Sequence, residues 1–111
     1  MIKVAIEQTS NERIHSFTME GHADFAEHGQ DIVCAGASAV SFGSVNAIMS
    51  LTGVEPLIEQ SSDGGLLRCQ IPKNLPSEID EKVQLLLQGM LVSLQTIERD
   101  YSDYIQITFK K

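Results

Sequence analysis

Tryptophan is absent from this 111-residue chain, aromatic residues make up only 5% of it, and there are just two cysteines and eight basic side chains. Each scarcity excludes something. With 42% hydrophobic residues and so few aromatics, the composition is that of a globular fold packed from aliphatic and small side chains, not of a disordered tail. Cys34 and Cys69 form no Cys-x-x-Cys pair, which leaves neither a disulfide framework nor a four-cysteine zinc site. Eight bases against fifteen acids give a net charge of −7, which disfavours nucleic acid as a ligand and favours a cationic peptide or protein. Neither Gly-x-Gly-x-x-Gly nor a Walker lysine is present, so a phosphate-binding loop is excluded as well. The opening MIKVAIEQTS lacks the apolar core of a signal peptide, and no run is expected to reach the roughly 20 apolar residues that span a bilayer. The expectation is one cytoplasmic domain over residues 1–111, with no cofactor and no membrane contact.

Ile2, Val4 and Ile6 alternate with Lys3, Ala5 and Glu7, the period-two pattern of a half-buried strand, and alternation resumes from Arg13 to Glu20, so a hairpin is expected. From Asp31 to about Thr52 the only charge is Asp31 itself, which predicts a helix buried on most sides, with Gly53 as its C-terminal cap. Segments 55–61 and 66–71 flank Ser62, Asp63, Gly64 and Gly65, a tight-turn sequence that predicts a second hairpin. Ser77, with Asp80 three residues on, is a candidate N-cap for an amphipathic helix carrying Ile79, Val83, Leu87, Met90, Leu94 and Ile97. Residues 103–109 supply a closing strand. The class is therefore α+β in the order ββαββαβ, one mixed or antiparallel sheet with two helices packed on one face.

The stretch GHADFAEHGQDIVCAG, residues 21–36, concentrates the chemistry. With Asp31 as N-cap, Cys34 falls at the third helical position, where free N–H groups and the helix dipole favour a sulfur anion. A nucleophile also needs a proton acceptor, and His22, placed at the end of a strand, is better aimed than His28 in mid-loop. Amides around Cys34 and Ala35 are the expected oxyanion donors, and Ser38, one turn further on, would bond the histidine or the substrate. Asp31 fits either a cap or a group that orients His22.

Plainer readings compete with each of these. A cysteine is commonly a small buried hydrophobe, the reading given to Cys69; a loop histidine such as His28 is commonly solvated; and Ser38 would serve as a packing residue. Zinc held by His22, Asp24, His28 and Cys34 matches no usual ligand spacing, so no metal is expected. The coincidence of a strand end and a helix start is what raises His22 and Cys34 above the rest.

GHA at 21–23, GQDIVCAGASAV at 29–40, FGSVNAI at 42–48 and MLVSLQTIE at 90–98 together resemble the bacterial ribosomal-processing cysteine protease family, Prp, over essentially the whole chain. The resemblance implies a His22–Cys34 dyad in a cysteine endopeptidase. Its implied substrate is the short N-terminal extension of the large-subunit ribosomal protein twenty-seventh in the L series. It also implies a homodimer and a mobile loop, containing Gly21 and running through Ala23 and Gly29, that covers the site. The competing functional reading is a non-catalytic, acidic ribosome-assembly factor that holds a basic ribosomal protein by charge alone, and a third is a thiol redox sensor.

Overall fold

Alternation along the first segment, with Ile2, Val4 and Ile6 buried, produces strand β1 (Ile2–Gln8), and the polar Thr9–Glu12 turn returns the chain as β2 (Ile14–Glu20). The computed structural model describes residues 1–27 and 30–111. The remaining elements are α1 (Ile32–Thr52), β3 (Leu57–Gln60), β4 (Leu66–Gln70), α2 (Ser77–Asp100) and β5 (Ile105–Lys110), the expected order. They form one five-stranded sheet ordered β3-β4-β2-β1-β5. Every neighbouring pair is antiparallel except β1 and β5, which the crossover through α2 makes parallel, so the sheet is mixed. The apolar face of the sheet and both helices contribute to a single core, in which Ile6, Phe17, Ile48, Leu67, Leu87, Leu94 and Ile105 are fully buried. The opposite face is polar, and there Arg68 bonds Glu7 and Thr18 across the strands.

α1 departs from its expected burial. Only the stripe of Val33, Ala37, Ser41, Val45 and Ile48 is buried, while Ile32, Met49 and Leu51 are exposed. A two-layer fold covers one side of a helix, and apolar composition all round does not supply a second cover. α1 also overturns the expectation about apolar runs, since its 21 residues are long and apolar enough to cross a membrane by length and composition. Core helices pass the same test, and α1 packs along α2: Gly36 lies against Ile97, Ala37 is buried, and the buried Ser41 hydroxyl donates to the Ala37 carbonyl. Gly53 caps α1 in the left-handed region at φ 73°.

Ser77 is not a cap. Pro76, with ψ at 143°, holds the cap position without a side-chain acceptor, and Ser77 is the first residue inside α2. Asp80 pairs with Arg13 instead, and with Glu78 it places negative charge in the first turn, where the helix dipole favours it.

Asp31, 8% exposed, does cap α1, and it does more. One carboxylate oxygen accepts from the Val33 and Cys34 amides, both at 3.0 Å. The other accepts from Phe25 at 2.9 Å and Ala26 at 3.3 Å, which fastens the β2–α1 loop to the helix. Burial alone would raise the Asp31 carboxyl, but these four donors outweigh it and hold the group below the usual carboxylate range. Because the folded state lowers this group, its contribution is complete above the unfolded value near pH 4 and drains away as pH falls through the folded value. Asp31→Ala is therefore expected to lower the thermal midpoint by about 5 °C at pH 7, with the difference from the parent shrinking at pH 3. Melting curves of both proteins at the two pH values check this, and a gap that widened in acid would contradict it.

Candidate active site

β2 and β4 pair with Glu20 opposite Leu66, so the residues after β2 run beside the β3–β4 turn. Gly21 makes this possible. Its φ is 89°, its N–H donates to the Gly65 carbonyl at 2.9 Å, and a β-carbon there would lie 2.4 Å from the Met1 carbonyl oxygen. The chain then places His22 with its Nε2 3.2 Å from the position that a Gly65 β-carbon would occupy. Ala23 is buried and points its N–H at Cys34 Sγ, 3.2 Å away. Phe25 sets its ring edge-on to Tyr104 at 5.0 Å and Tyr101 at 5.7 Å, against the turn between α2 and β5.

Cys34 stands half-buried in the first turn of α1, as the spacing predicts. Its sulfur accepts the Ala23 N–H. Both amides expected as oxyanion donors are engaged: Cys34 N–H with Asp31 Oδ1, and Ala35 N–H with the Asp31 carbonyl at 3.0 Å. With four amides on its two oxygens, Asp31 acts as a cap and loop anchor, and no bond connects it to His22 among the described residues.

A cleft of about 530 Å³ brings together Gly21, His22, Asp31, Cys34, Ala35 and Ser38, all singled out from the sequence. Among the described residues no hydrogen bond joins His22 to Cys34, and the imidazole is turned toward Gly65. Ala23 is buried and does not line the cleft. His28 and Gly29 lie outside the described residues. Asp24, one of the zinc candidates, faces the chain's amino group at 4.0 Å, and no set of three potential ligands gathers among the described residues. Cys69 is sealed in the core, where burial pushes its thiol up to about 11. Asp63 and Gly64 also line the cleft. Their sequence signals a turn, but only the β2–β4 pairing shows that the turn faces His22.

Residues 1–106 match the family described as Cysteine protease Prp. The Ribosomal processing cysteine protease Prp of Bacillus subtilis (strain 168) is 52% identical over 108 residues, covering 97% of this chain and 96% of its own. Two crystal structures of an essential ribosomal processing protease Prp from S. aureus share the fold over 99% of this chain and 100% of theirs. The complex with a covalently linked product peptide gives a TM-score of 0.90 at 46% identity, and the complex with a substrate peptide gives 0.83 at 44%. A thiol at a helix N-terminus and an imidazole across a shared cleft agree with these matches: the chain belongs to the cysteine protease Prp family, and its chemistry is that of a cysteine protease.

Proposed function

We propose that this chain is an endopeptidase that removes the N-terminal extension of the large-subunit ribosomal protein twenty-seventh in the L series, using His22 and Cys34 as a catalytic dyad. The observation that carries this reading is the shared cleft, in which Cys34 Sγ receives the Ala23 N–H and His22 lines the same space. The relatives' names supply the ribosomal setting, and a basic ribosomal protein is drawn to a chain of net charge −7. An acidic carrier needs that charge but has no use for a thiol held in this way.

In this reading His22 takes the Cys34 thiol proton, and the sulfur attacks the scissile carbonyl carbon. The resulting imidazolium protonates the leaving amine as the C–N bond breaks, and an acyl-enzyme remains. Water then adds, its proton passing to His22, and the C–S bond breaks to release the new carboxyl end and the thiol. The Ala23 N–H is the amide that follows the charge as it moves from sulfur to oxygen. Cys34 and Ala35 amides join it only if Asp31 releases them, and Ser38 bonds peptide along the cleft floor. The loop through Gly21 and Ala23 opens and closes over substrate, its closed form held by Asp31 and by Phe25 on the two tyrosines. The exposed apolar flank of α1 is the surface through which two copies pair.

Replacing Cys34 with Ala is expected to abolish cleavage of the precursor ribosomal protein while the fold persists, as read from product masses and a melting curve; cleavage at the parent rate would refute the thiol nucleophile. Gly21→Ala should lower kcat/KM at least about tenfold, because its φ and the Met1 carbonyl both oppose a β-carbon and His22 is the next residue. Steady-state kinetics on an extension peptide measure this, and parent-like values would show that the turn is not what places His22.

A further inference from the structure

We propose that Asp63, at the tip of the β3–β4 turn, is a positioning residue that holds the His22 ring in the cleft and supports its positive charge during the reaction. This rests on the dyad reading above. The observation is a juxtaposition. A β-carbon built on Gly65 would meet His22 Nε2 at 3.2 Å and Asp63 Oδ1 at 3.2 Å, so ring and carboxylate flank the one space that glycine leaves open. Two features fix this arrangement. Gly21 N–H to Gly65 carbonyl ties the His22 backbone to the turn, and Asp63 Oδ1 accepts from Ser61 Oγ at 2.6 Å and from Gly65 N–H at 2.9 Å. Those two donors hold the Asp63 carboxyl below its ordinary range, with the nearby His22 acting in the same direction, so the group is anionic at neutral pH.

Among the described residues, Asp24 lies 4.0 Å from the Met1 ammonium, Asp31 is surrounded by four amides, and Cys34 is the group with which His22 exchanges a proton in the proposed reaction. Asp63 is the carboxylate that shares the space beside Gly65 with the ring. It does so across a short gap, since no direct hydrogen bond joins them in this structure.

The test is Asp63→Asn, which keeps an acceptor for Ser61 and Gly65 and removes only the charge. In protein also carrying Cys34→Ala, the ring resonances of His22, assigned by comparison with His22→Ala, are followed through pH. Loss of the negative neighbour should move their midpoint about half a unit lower, and the acid limb of kcat/KM for Asp63→Asn with Cys34 intact, where protonation removes the base, should move in the same direction. An unmoved ring midpoint would overturn the proposal, even if turnover fell, because the loss would then be structural. The resonance measurement needs no turnover. Full cleavage by His22→Ala would sink the dyad while leaving the influence of Asp63 on the ring to be read independently.

Discussion

A single carboxylate, that of Asp31, carries the constraint on which the rest of the site depends. It satisfies two amides that a helix start leaves without partners and two more from the loop that precedes it. The helix that supplies the thiol and the loop that roofs it are therefore joined at one point. Ala23 can face Cys34 Sγ because Phe25 and Ala26, two and three residues later, are pinned to the same group that caps the helix. Orientation of the sulfur, its backbone donor and the loop above it thus follow from one buried ionised side chain.

The second constraint is the register of β2 against β4. Antiparallel pairing that sets Glu20 beside Leu66 leaves Gly21 and Gly65 bonded just beyond the last rung. The imidazole stands just past the end of the central strand β2, and the thiol rises from the layer of helices. A cleft between two layers is where a peptide meets both, and the layers are locked through a core that includes Ile48, Leu67 and Leu94.

Much of this was legible along the chain. Alternation marked β1, Asp31 and Gly53 bounded α1, and helical spacing marked the face of α2 that is buried. His22 and Cys34 stood out because each sits where one element ends or begins. Features that escaped notice were those set by distant partners. Whether β5 joins parallel is decided by a crossover and not by its own residues, and the exposed flank of α1 depends on how many layers the fold has. Ser77 and Asp80 carry the letters of a cap, yet the extended Pro76 before them occupies that place. Ala35 was read as an oxyanion donor, and nothing local shows that the Asp31 carbonyl already takes its amide. Asp63 could be read only as a turn residue, since its neighbour across the cleft lies on another hairpin.

The two thiols differ in access. Cys69 is 0% exposed with its proton held to about pH 11, whereas Cys34 opens onto the cleft. To any soluble electrophile the native molecule is thus a single-cysteine protein. One equivalent of label counts intact centres, and uptake of a second equivalent reports that the interior has come apart.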